Sequence, residues 1–207
     1  MISVRLQGIA QVQARLSTLS SGMQAKVIGP AINKVAEKAR AEIARAIPET
    51  YAVKPAEVRS SIRLSKARSG SLQATIEVFG SARKVGRSLN LIHFLAAAQI
   101  AGKAVKVRGA RANKKQLAAL QNQLGFLIKR GSGLKTIPGA FVGNKGRTIF
   151  IRTGKARLPI EPVQVIGFSQ MFASNRIRDR ILAKINADLV IEVDRSLARL
   201  MAQGATP

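Results

Sequence analysis

The sequence predicts an α+β fold: an antiparallel β-sheet packed by long N-terminal and C-terminal helices, with a basic insertion or arm. Three observations predict it. Apolar residues recur every fourth position near both ends of the chain, from Val27 through Ala31, Val35, Ala39 and Ile43 to Ile47, and again from Ile177 to Leu197. That is the spacing of one helix face. Between these stretches, shorter runs alternate apolar and polar residues, the period of a half-buried strand. The links between those runs are short and carry glycine, as hairpin links do, unlike the crossovers of parallel sheets.

The elements follow in order. Ile2, Val4 and Leu6 alternate with polar residues as a short strand. A short helix is expected beyond Gly8, with Ile9, Val12, Leu16 and Leu19 on one face. Met23 to Ile47 reads as helix; Gly29-Pro30 interrupts it, as the first helical residue or as a kink, and Pro48 ends it. Pro55 can start one helical turn. Ile62 and Leu64 begin a strand, Ser69-Gly70-Ser71 is a turn, and Leu72, Ala74, Ile76 and Val78 alternate strictly, so the pair reads as a hairpin.

Residues 80–135 read as a basic arm or insertion on one 1–207 domain. Loops are expected at 80–88 and 102–116, a short helix at Gln116 to Gln123 and a short strand at Phe126 to Ile128. Ile137 to Val142 and Thr148 to Arg152 form a second hairpin across Gly143-Asn-Lys-Gly146. Pro162 to Ile166 is a further strand. A long C-terminal helix covers about 170–203, with Ser169 or Ser174 available to cap it. At roughly 45 Å this helix exceeds what a small domain needs. Its end, with Leu197 and Leu200, is therefore a candidate oligomer interface.

Charge is the loudest feature. The 207 residues hold 35 Lys+Arg against 10 Asp+Glu, a net charge of +25. No acid lies between Glu77 and Glu161, and that span alone carries 17 basic residues. So large a single-sign segment repels itself and calls for an anionic partner. The densest part is Lys103, Lys106, Arg108, Arg111, Lys114 and Lys115, joined later by Lys129 and Arg130. These eight are the candidate anion- or partner-binding residues, expected to order against a negative surface. Phe79, Phe94, Phe126, Phe141 and Phe150 lie in apolar runs and read as core, so base stacking is not indicated.

Several functions drop out. There is no Cys, which excludes thiolate metal sites and cysteine nucleophiles. His93 is the single histidine and reads as a packed residue in an apolar run. Asp188 and Glu192 are four apart and read as a solvated helix face near Lys184, Arg195 and Arg199. Gly131-Ser-Gly-Leu-Lys-Thr136 lacks the Gly-Lys-Thr of a phosphate loop. No catalytic residues, metal ligands or cofactor are expected, and the chain reads as no enzyme. No apolar run approaches a membrane span, and Arg5 and Gln7 stand where a signal peptide needs apolar residues.

Three stretches together carry a resemblance. They are Ala31-Ile-Asn-Lys-Val-Ala36 followed by Tyr51-Ala-Val-Lys-Pro55, Val58-Arg59 and Ile62-Arg-Leu64; Gly86-Arg-Ser-Leu-Asn-Leu-Ile-His-Phe94; and Ile137-Pro-Gly-Ala-Phe-Val142 with Ile149-Phe-Ile-Arg152 and Gly154-Lys-Ala-Arg-Leu-Pro-Ile160. In this order and spacing the chain resembles the phage minor tail protein Z family. Residues 97–134 are longer and richer in Ala and Gln than that resemblance leads one to expect. The motif residues singled out are Pro138, Gly139, Phe141, Arg152, Lys155 and Arg157. The resemblance implies a structural virion protein at the head-proximal end of the tail, made in the host cytoplasm. It implies a homo-oligomeric ring joining the tail terminator to the head–tail connector. The positive arm suits either acidic rings of such neighbours or the end of the packaged DNA, and no membrane contact is expected. The alternative from composition is a basic nucleic-acid-binding protein without sequence preference.

Overall fold

A computed structural model describes residues 2–6, 21–68, 71–81, 88–100, 103–105 and 124–204. Strand β1 (Ile2–Leu6) precedes helix α1 (Ser21–Thr50), which runs for 30 residues with Pro30 and Pro48 inside it. The expected interruption at Gly29-Pro30 does not occur. Pro30 removes one backbone hydrogen bond, but Val27, Ala31 and Ile32 on either side are fully buried. Packing of that stripe outweighs the local cost of about 3 kcal/mol. Pro48 does not end the helix either, and Tyr51 N still donates to Ile47 O at 2.9 Å.

Helix α2 (Pro55–Ser60) starts on its proline as expected. Strands β2 (Ile62–Ser65) and β3 (Ala74–Val78) follow, joined where Arg68 and Ser71 exchange backbone hydrogen bonds of 3.0 and 2.9 Å. Beyond them lie β4 (Ser88–Asn90), a 3₁₀ turn at Leu91–Phe94, β5 (Leu95–Ile100), β6 (Lys103–Val105), β7 (Leu124–Phe126) and β8 (Lys135–Thr136). The second hairpin is β9 (Phe141–Gly143) and β10 (Thr148–Arg152), and β11 (Ile160–Pro162) and β12 (Gln164–Ile166) complete the strands. Helices α3 (Phe168–Phe172) and α4 (Asn175–Gly204) close the chain.

Among the described residues all pairings are antiparallel, but they form four small sheets instead of one: β1-β3-β2, β11-β10-β9, β12-β4 and β6-β5-β7-β8. The two hairpins expected to share a sheet therefore lie in different ones. Pro162 to Ile166 is likewise two strands. They part at Val163, whose N–H donates to Ile149 O at 2.9 Å while its carbonyl accepts from Leu91 N at 3.0 Å. Residues 103–105 pair as strand where a loop was expected. The short strand expected at Phe126 to Ile128 lies at Leu124–Phe126. The proposed helices at 9–19 and 116–123 lie outside the described residues, as do Ser69 and Gly70.

Helix α1 is the centre of the layering. It packs on β3 and β2 on one side, and α4 packs on it more extensively than any other pair of elements meets. So among the described residues α4 packs chiefly on α1, although both helices were expected on one sheet face. The C-terminal helical pattern also breaks at Ala173-Ser174. The short α3 before the break drives Phe168, Met171 and Phe172 into the core. Ser174 immediately precedes α4; its carbonyl accepts from Ile177 N and Arg178 N at 3.1 and 3.0 Å, and its hydroxyl donates to Met171 O at 2.8 Å.

Candidate partner-binding surface

The interface between α1 and α4 is held by charge that the helices satisfy between themselves. Glu192 is 1% exposed, and its Oε1 accepts from Lys38 Nζ at 2.8 Å and Arg195 Nη1 at 2.7 Å. Asp188 lies 3.6 Å from the same ammonium. The pair read as a solvated face thus turns inward, because α4 lays it against α1. The Lys38 hydrogen bond outweighs burial and holds the Glu192 carboxyl below its ordinary value of 4.5. One turn-cluster earlier, Arg180 forks between Glu49 (2.6 Å) and Glu42 (2.7 Å) of α1, the two-pronged geometry a guanidinium suits.

Two asparagines act as backbone substitutes. Asn33 on α1 donates to Ala67 O at 3.1 Å and accepts from Ala67 N at 2.7 Å. Asn90 accepts from Ile92 N at 3.0 Å and Ile149 N at 2.9 Å, and donates to Ile149 O at 3.3 Å. Asn90 therefore pins β10 to the 3₁₀ turn. Both lie inside the motif stretches, yet a side-chain amide paired to remote backbone leaves no periodic signal in the sequence.

The sheet pinned by Asn90 has two unlike faces. Along β10, Ile149 is fully buried and lies opposite Val142, which also packs on the core. The alternate residues face away: Phe150 lies opposite both Phe141 and Pro162, and Arg152 lies opposite Ile160. Phe141 and Phe150 stack with centroids 6.0 Å apart. The Arg152 guanidinium sits 4.8 Å from the centre of Phe141, a cation–π contact. Gly143 leaves room for this arrangement, since a Cβ there would come within 2.8 Å of the Phe150 ring. These two phenylalanines are half-buried and were expected in the core; Phe94 and Phe126 do lie there.

Both ends of this face are basic. At the hairpin tip, Asn144, Lys145 and Gly146 all have positive φ, which presents Lys145 and then Arg147 to solvent. At the other end, Lys155 and Arg157 are exposed in a loop that Thr153 closes by donating from N and Oγ1 to Pro159 O. Among the described residues none of these four cations makes an ion pair. Pro138 and Gly139 enter β9 through a tight turn, in which Ala140 N donates to Ile137 O at 3.2 Å and Gly139 takes φ 73°. Proline followed by a positive-φ glycine is the type II pattern.

The remaining predicted residues are placed as follows. Arg130 caps α1, with its N–H on Thr50 O at 2.9 Å and its Nε on Pro48 O at 2.5 Å, so it serves the last carbonyls of that helix. Lys129 pairs by its backbone with Tyr51 and is exposed. Lys103 stands in β6, while Lys106, Arg108, Arg111, Lys114 and Lys115 lie outside the described residues. Leu197 and Leu200 are half-buried and pack on the core, whereas Met201 beside them is 68% exposed. His93 is exposed and not packed; its Nδ1 lies 3.0 Å from Glu57 Oε2. A cleft of about 410 Å³ lies among Glu37, Arg40, Arg59 and Lys66, and within its lining Lys66 pairs with Glu37 at 2.5 Å. Among the described residues no helix is long and apolar enough to cross a membrane.

The family described as prophage minor tail protein Z matches residues 6–203, nearly the whole chain. No curated protein and no solved structure matches it.

Proposed function

The chain belongs to the prophage minor tail protein Z family, a structural component of phage tails, and from that premise we propose that it completes the head-proximal end of the tail. In this reading copies form a homo-oligomeric ring between the tail terminator and the head–tail connector. The protein performs no catalysis; its work is contact. The observation that carries the reading is the division of charge. Among the described residues seven carboxylates make ion pairs with Lys or Arg, from Glu37 with Lys66 to Glu192 with Lys38; Glu57 meets His93, and Asp194 is also engaged. Positions 124–160 hold eight cations and no acid. Carboxylates that are met within the chain and an acid-free basic stretch left over are what a coupling piece between other components needs. The basic stretch from Lys103 to Lys115 adds six more cations to that excess and is suited to acidic rings or to the end of the packaged DNA.

Gold-labelled antibody against this protein, imaged on isolated tails and on whole particles, tests the position. Label at the head-proximal end is expected, and label at the distal tip or along the tube overturns the proposal. Counting copies per tail by quantitative mass spectrometry tests the ring, and one copy per tail excludes it.

A further inference from the structure

We infer that the outward face of β9-β10-β11 docks an acidic protein surface belonging to a different chain, and that neither a second copy nor nucleic acid fills it. The inference rests on the tail-completion reading and names the kind of partner the basic side meets. Two stacked phenylalanines with an arginine over one of them form the centre of the face, and lysine and arginine form both its ends. Aromatic and arginine residues ringed by polar ones are the make-up of a protein–protein contact. A surface built only for phosphate needs the cations and gains nothing from an apolar centre.

Charge selects between a second copy and a different chain. Lys145, Arg147, Lys155 and Arg157 have no carboxylate partner among the described residues, and nine of the ten acids are already engaged within the chain. The tenth, Glu161, stands on β11 of this same sheet. A second copy therefore brings almost no free acid to neutralise the rim and would set cation against cation. The occupant must carry its own carboxylates around an apolar patch. Three short strands present only about 250 Å² in projection, well below the roughly 800 Å² per partner of a stable interface. The basic loops at both ends must share in the contact, which makes the rim part of the binding energy.

The test uses the full chain and three probes: purified tails assembled in a host lacking this gene, a 30-base-pair DNA duplex, and the free protein alone. Phe141→Ser with Phe150→Ser removes the centre. Lys145→Gln, Arg147→Gln, Lys155→Gln and Arg157→Gln together remove the rim without touching the core. In co-sedimentation, the parent protein should bind such tails. The centre variant should bind at least about tenfold more weakly at every salt concentration. The rim variant should bind more weakly at low salt and show a flatter salt dependence. Sedimentation velocity of the free protein and DNA binding by the centre variant should match the parent. Parental tail binding by the rim variant overturns the inference, even if the centre variant fails to fold. A centre variant that loses DNA binding as steeply as tail binding assigns the face to nucleic acid, and one that changes the free protein's oligomeric state assigns it to a second copy. If the parent protein itself does not bind the tails, the tail-completion reading falls and this inference with it.

Discussion

Glu192 shows how a single buried carboxylate ties two helices that are far apart in sequence. Its folded acidity lies below the ordinary 4.5 because Lys38 and Arg195 donate to it. The folded state therefore binds fewer protons than the unfolded chain near that pH. The stabilisation is complete above about 4.5 and is lost as pH falls through the depressed value. Glu37 and Glu57 are lowered too, by Lys66 and by His93, so they add to the same acid loss. Urea midpoints followed from pH 7 to pH 3 should fall, and Glu192→Gln should flatten part of that fall. At pH 7, Lys38→Met should lower the midpoint because it leaves a buried carboxylate under-paired. Glu192→Leu should cost less, since it removes the charge with its need. Asn90 offers a second residue-scale prediction. Asn90→Ala strips the partner from Ile149 N, in a residue that is fully buried, and should cost about 1–3 kcal/mol in urea unfolding. None of these roles could be read beforehand. Residue-type rules place acids on the solvent side of a helix, and the bond from Glu192 to Lys38 spans 154 positions.

Elements were more legible than residues. The fourfold spacing located α1 and α4, and the twofold spacing located β2, β3 and both strands of the second hairpin. Each period reports which face of an element is buried. It does not report what covers that face, so the two hairpins expected in one sheet lie in separate sheets, and α4 lies on α1. The Phe141–Phe150 face was half visible: Ile149 and Phe150 are neighbours on a strand and must point opposite ways, but an apolar run hides which one is outside. The stripe of α4 can be tested along its length. Ile181 is 1% exposed, so Ile181→Ala should cost about 2–5 kcal/mol in urea unfolding. Leu182 is 39% exposed, and Leu182→Ala should stay within about 0.5 kcal/mol. Leu200 packs on the core, so Leu200→Asp would disturb the fold as well as any neighbour. Met201, 68% exposed, separates the two. Met201→Asp should leave the urea midpoint unchanged and weaken self-association in sedimentation velocity. Unchanged association would remove the helix tip from the ring interface.

At the scale of the whole molecule, charge is sorted along the chain. Acids gather on α1, α2, β3 and α4, where cations of the same chain meet them, and the excess of +25 is left mostly to the middle third. That sorting was legible in the sequence as an acid-free span, whereas the helix-capping use of Arg130 was not, because it depends on β7 leading the chain past the end of α1. Lys103, Lys106, Arg108, Arg111, Lys114 and Lys115 concentrate six cations within 13 positions among small residues. Small residues of this kind offer little apolar area, so the charge of such a composition is expected to bear on association. Replacing all six with Gln should leave thermal melting nearly unchanged. It should lower the yield of joined, infectious particles in a complementation assay. Attraction of this kind weakens with salt through screening and counterion release, so the parent's joining efficiency should fall as salt rises and the six-Gln protein's should fall less. The rim substitutions on β9-β10-β11 should flatten the salt dependence separately, and the two sets should add if they meet different surfaces. If the six-Gln protein joins heads to tails as efficiently as the parent at every salt concentration, this stretch is a solvated surface, and the hairpin sheet alone carries the charge-dependent contact.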